Sequence, residues 1–157
     1  MQEKKIDYYE KFRNSSLDTS AVGLISDPEF RRYGVTPPGS RVFAWAEVLG
    51  AHFCQRQNEQ AVCAVIPDGP DGGPIIYTVA EDLPSFLGLV IACRHTALLL
   101  RCVDTPRAEF EALLRDTKPT MKQRSVLRAL ENIYHPPRIT DPYGYMQSQK
   151  EKHTHAL

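Results

Sequence analysis

GAHFCQRQNEQAVCAV, residues 50–65, decides how the rest of the chain is read. It sets one histidine and two cysteines among apolar residues, so it is either a reactive or metal-binding centre or a pair of strands. His52 and Cys54 stand two apart, which on a strand puts both on one face, projecting in parallel rather than toward each other. That suits a Cys–His nucleophilic pair poorly. A metal would need two further ligands, and no close pair such as C-x-x-C nominates them. Cys54 and Cys63 are nine apart, as are Cys93 and Cys102. The period argues for structure. Ala51 and Phe53 alternate with His52, Cys54 and Arg56, and Gln60 to Ile66 is nearly all apolar, as in a central strand. The short connection at Asn58-Glu59 makes the two a hairpin.

Outward from this hairpin the same period continues. RVFAWAEV, residues 41–48, alternates Val42, Ala44, Ala46 and Val48 with Arg41, Phe43, Trp45 and Glu47. GPIIYTV, residues 73–79, is rich in β-branched and aromatic residues. PDGPDGG, residues 67–73, is turn chemistry throughout and joins the last two strands. Four strands with short connections make an antiparallel meander.

Beyond it the period changes to that of a helix. Leu83, Phe86, Leu87, Val90 and Ile91 share one face, and Pro84 sits in the first turn, where its missing N–H costs nothing. Thr105-Pro106 reads as the start of a helix using Phe110, Leu113 and Leu114. Thr120 and Gln123 fit a capping box ahead of Val126, Leu127, Leu130 and Ile133. An N-terminal helix is expected over about residues 2–13, facing inward with Ile6, Tyr9 and Phe12. Between 14 and 40 the chain reads as irregular, with a short helix over Asp27 to Tyr33 and a stop at Pro37-Pro38-Gly39. Residues 147–157 read as a frayed polar tail. The fold class is α+β: an antiparallel β-meander of about four or more strands with helices packed on one face.

At 157 residues, 42% apolar and 24% charged, residues 1–157 suit a single domain. Nineteen basic and nineteen acidic residues cancel, so no global field draws in nucleic acid or an anionic membrane. The N-terminal MQEKKIDYYEKF is charged and unlike a signal peptide, and the run Leu87 to Cys93 is too short to span a bilayer. A cytoplasmic protein with reduced, buried thiols is expected. Gly69, Gly72 and Gly73 do not follow G-x-G-x-x-G, and Asp68 and Asp71 lack EF-hand spacing, so no cofactor, phosphate loop or metal site is read.

Several segments, taken in order, carry a resemblance. They are Tyr33–Gly39 (YGVTPPG), Gly50–Cys54 (GAHFC), Tyr77–Cys93 (YTVAEDLPSFLGLVIAC), Phe110–Leu114 (FEALL) and Asp141–Tyr145 (DPYGY). Over residues 33–146 this order is similar to a bacterial branch of the SUKH superfamily, the Smi/Knr-type domains. The resemblance implies a binding module rather than an enzyme. SUKH domains are thought to act as immunity proteins that occupy a partner toxin in the cytoplasm, as regulators of cell-wall synthesis, or as interaction hubs. The implied partner is a protein, with a toxin domain foremost.

The candidate partner surface is the face carrying Arg41, Trp45, Glu47, His52 and Arg56. One large aromatic among charges is interface hot-spot composition; Trp45 under a loop or helix is the competing reading. His52 reads as a satisfied structural histidine, and Asp141-Pro142-Tyr143 as a structural docking segment. The opposite face, with Val42, Ala44, Ala46, Ala51 and Phe53, suits the helices. No catalytic residue is nominated for the binding module. Two alternatives stand beside it: a small thiol-dependent hydrolase using Cys54 and His52, and an intracellular regulatory subunit.

Overall fold

The computed structural model describes residues 6–27, 36–48, 50–56, 59–69 and 71–154. The sheet runs β1 (Ile25–Ser26), β2 (Arg41–Trp45), β3 (His52–Gln55), β4 (Val62–Ile66) and β5 (Ile75–Ala80), in that spatial order. Every neighbouring pair is antiparallel, so the meander expected from residues 41–79 is present, with β1 as an added edge strand. Helix α1 (Tyr8–Arg13) precedes the sheet. After it come α2 (Leu83–Cys93), α3 (Thr96–Leu100), α4 (Arg107–Asp116), α5 (Met121–Tyr134) and α6 (Pro142–Thr154). The fold is α+β.

Helix α2 is the centre of the helical layer. The Asp82 carboxylate accepts the Ser85 N–H at 2.8 Å, and Phe86, Leu87, Leu89 and Val90 are all fully buried. It packs against β5, α5 and α6. The capping box of α5 is complete: Gln123 N–H donates to the Thr120 hydroxyl, and Thr120 N–H donates to the Gln123 side chain. The core on this side takes Phe43, Phe53, Val62, Ala64, Tyr77 and Val79 from the sheet and Tyr9 and Phe12 from α1.

Strict alternation fails in β2. Val42 pairs with Cys54, but Ala44 pairs with the adjacent Phe53, so a bulge at Phe43 sets one extra residue into β2. Phe43 and Ala44 therefore both join the helix-side core, while Val42 joins Cys54, Cys63 and Val65 in a separate buried cluster. Phe43, read in the sequence as part of the polar face, is buried. Val42, read as facing the helices, lies in the other cluster. The Phe43 ring meets Tyr9, Phe12 and Phe86 edge-on at 5.2, 5.9 and 5.8 Å, contacts that no strictly alternating strand would reach.

Other expectations need correction. Ile6 is 56% exposed and Ile133 36%, so neither belongs to the buried stripe of its helix, whereas Tyr9, Phe12, Val126, Leu127 and Leu130 do. Thr105 does not cap α4: its hydroxyl donates to the Asp104 carboxylate, and Pro106 occupies the cap position without a side-chain bond. The polar stretch read as a frayed tail is helical as far as Thr154. Tertiary contacts hold it. Met146 and Gln149 are buried, the Tyr143 hydroxyl donates to the Thr105 carbonyl, and the Gln147 amide donates to the Cys102 carbonyl. The short helix expected over Asp27 to Tyr33 lies, apart from Asp27, outside the described residues, as do the first residues of the N-terminal helix.

Candidate functional site

The five residues of the expected partner surface do not form one surface. Trp45 and His52 are cross-strand partners at one end of β2 and β3, their rings 4.8 Å apart. Arg41 stands at the other end of β2, opposite Gln55, to whose side-chain oxygen it donates. Three residues of strand separate it from Trp45, a rise of about 13 Å, and the bulge turns it toward the helix side. Arg56 donates to the Thr78 hydroxyl at 3.1 Å on the side of Cys63. Glu47 is exposed in the turn after β2. Trp45 and His52 come together, as their expected place on one face implies; Arg41 and Arg56 sit apart from them.

Trp45 is half-buried, and its indole N–H donates to the buried Asp27 carboxylate at 3.2 Å. The His52 imidazole is buried, with Nδ1 at 3.1 Å from the Gly50 carbonyl and Nε2 at 3.1 Å from the Thr36 hydroxyl. A carbonyl can only accept, so Nδ1 carries a proton, and in the neutral ring that burial favours Nε2 accepts from Thr36. Both ring nitrogens are thus occupied within the fold. Both nitrogens have partners other than the Cys54 thiol. Cys54 in turn lies directly across from Cys63, and both are buried. The hydrogen bond with Cys63, together with burial, holds the Cys54 thiol far above its usual range. A nucleophilic cysteine needs the reverse, an accessible thiolate of lowered pKa.

Burial also lowers the pKa of His52, against a smaller opposing effect of its bond to Gly50. His95 is lowered by burial too, opposed by the charge of Glu47. In the unfolded chain these imidazoles titrate near their ordinary value of 6.5. Between that value and the lower folded values the unfolded state binds more protons. Their contribution to stability is therefore complete above pH 6.5 and is lost as pH falls through the folded pKa values. Lowered carboxylates such as Asp141, whose ordinary value is 3.8, act only in more acidic solution. The urea unfolding midpoint should fall as pH is lowered from neutral toward 5, and His52→Gln should flatten that fall. A midpoint that rises on acidification would mean the imidazoles are charged in the fold.

A concavity that the sequence reading missed opens at one end of the sheet. It encloses about 320 Å³, within the usual range for binding pockets. Ala51 directly precedes β3, Ile66 and Ile75 come from the ends of β4 and β5, and Ala97 and Leu100 from α3. Val103, from the 3-10 turn after α3, completes an apolar floor, and Val48 stands 37% exposed beside it. Asp68, Arg101 and Asp104 add charge at its edge. The PDGPDGG turn shapes the rim: Gly69 N–H donates to the Gly73 carbonyl at 2.8 Å. A Cβ at Gly69 would lie 2.7 Å from that same oxygen and 2.8 Å from the Ile75 side chain, so the close turn requires glycine. Of the two sequence features that meet here, sequence reading finds the turn and misses the apolar run 97–100 before Arg101. The first ends β4, the second forms α3, and only the fold brings them to one place.

Among the described residues no group of three or more His, Cys, Asp or Glu side chains is placed to hold a metal ion, and no single helix is long and apolar enough to cross a membrane. No family model matches the chain, and no curated protein or solved structure matches it either.

Proposed function

We propose that this chain is a non-enzymatic protein-binding module, of the immunity or regulatory kind that the SUKH resemblance implies, and that it meets its partner at the groove between the sheet end and α3. The observation that carries this reading is the groove itself. An apolar floor bounded by charged side chains is the arrangement by which protein interfaces seat an anchor residue while their rim stays wet. Its occupant buries apolar area worth about 25 cal/mol per Å². Trp45, half-buried and tied to Asp27, is a weaker anchor, because its indole N–H already has a partner. The thiol-hydrolase alternative lacks support in the geometry, since the Cys54 thiol is buried against Cys63 and both His52 nitrogens are engaged. All four cysteines are free and buried, which suits a protein working in the reducing cytoplasm.

Site-specific photo-crosslinking in the producing cells tests the reading. A crosslinker at Val48 should give one discrete protein adduct, and one at Met121, 87% exposed on α5, should not. The captured protein, once purified, should bind the unmodified chain and be recovered chemically intact. Adducts equal at both positions, or a captured protein cleaved or modified by the chain, would overturn it.

A further inference from the structure

We infer that the groove selects a partner segment that inserts one large apolar side chain and carries a lysine or arginine beside it. This rests on the protein-binding reading above and adds the chemistry of the partner. The floor contributes the first half: Ala51, Ile66, Ile75, Leu100 and Val103 offer no polar side-chain atom, so a polar group seated there would lose its water without gaining a partner. The rim contributes the second. Asp68 and Asp104 border the groove, and its only bordering cation among the described residues, Arg101, lies 4.0 Å from Asp104 and 3.8 Å from Glu109. Two lining carboxylates against one guanidinium, itself shared with Glu109 outside the lining, leave the rim net negative. Glu47, next to Val48 and close enough to His95 to act on its titration, adds to the same sign.

A cation on the incoming segment gains from this field at the wet edge, where it keeps much of its hydration, and an acidic segment is repelled. The chain as a whole is neutral, so the preference is a property of this rim and not of net charge. Aliphatic floor and acidic rim together discriminate more sharply than either alone: the floor rejects a purely polar basic segment, and the rim rejects an acidic amphipathic one.

The test uses a random peptide library displayed on phage and selected on the full chain, followed by fluorescence anisotropy with the synthesised winners. Selected peptides should share a large apolar residue with an adjacent lysine or arginine. Asp68→Asn combined with Asp104→Asn, both on exposed residues, should weaken them about tenfold, and added salt should erase that difference. Val48→Arg, also exposed, places a cation at the mouth and should weaken them at least as much, with circular dichroism unchanged. Peptides insensitive to Val48→Arg would overturn the groove as their site while leaving the protein-binding reading standing. Winners lacking the basic residue, or indifferent to the two aspartates, would overturn the partner chemistry alone. Should no peptide be selected while decylamine binds and is lost in Val48→Arg, the groove is a small-amphiphile site and the inference fails. Selection of nothing, with no decylamine binding, also overturns it, and the crosslinking at Val48 then judges the protein-binding reading separately.

Discussion

Phe86→Ala should lower the free energy of unfolding by about 3–5 kcal/mol, the cost of deleting a fully buried aromatic ring. Phe86 has no exposed surface and projects from α2 onto the sheet. Its ring meets Phe43 edge-on at 5.8 Å and Phe53 at 4.8 Å with a 53° tilt. Phe43 is itself enclosed by Tyr9 and Phe12, so truncation opens a cavity where β2, β3, α1 and α2 converge. Such a junction relaxes little, because each wall is held by a different element, and costs at the upper part of the range are expected where collapse is prevented. Urea denaturation of the purified chain measures it. A loss below about 1 kcal/mol would mean the ring is not enclosed, and the packing of α2 on the sheet would have to be abandoned.

Gly23→Ala should cost about 2–5 kcal/mol, from two independent sources. Gly23 ends a 3-10 turn at φ 73°, in the left-handed region, where a Cβ costs about 1–2 kcal/mol. The second source is space. A Cβ there would lie 2.4 Å from the Thr96 hydroxyl oxygen and 2.5 Å from the His95 ring. Thr96 is fully buried and donates to the Gly23 carbonyl at 2.5 Å, so the two segments cannot part without breaking that bond; overpacking of this kind costs about 1–3 kcal/mol. His95 and Thr96 begin α3, which lines the groove through Ala97 and Leu100. The substitution should therefore weaken partner binding as well as stability, whereas Phe86→Ala acts on the core. A loss below about 1 kcal/mol in the same urea measurement would show that the 3-10 turn moves freely away from α3.

The elements that sequence reading found are those whose cause is local. The β3–β4 hairpin, the PDGPDGG turn, the capping box at Thr120 and Gln123, and the inward stripe of α2 each depend on residues close along the chain. Trp45 beside His52 was legible for the same reason, since a short turn sets their register. What escaped has distant causes. Nothing in residues 147–154 announces a helix, because its anchors are the Cys102 and Thr105 carbonyls and the space that Met146 fills. Ile133 fits its stripe by spacing alone, yet no partner covers it fully.

By itself, then, the chain's binary pattern determines an antiparallel meander followed by helices, because the periods of strand and helix are set by backbone geometry that any short segment obeys. The tertiary structure alone decides which way each side chain of β2 turns. A strictly alternating strand would leave Phe43 on the face away from α1 and α2; burying that ring among Tyr9, Phe12 and Phe86 requires the bulge, which carries Val42 to the Cys54 cluster and Arg41 away from Trp45. The groove is decided at the same level. Its floor is drawn from the residue before β3, from β4, β5 and α3 and from the 3-10 turn after it. Its rim brings Asp68 of one turn near Arg101 and Asp104 of another, residues that no local period relates. Hydrophobic burial is indifferent to sequence separation, so the site exists only once the sheet end and α3 have closed on each other.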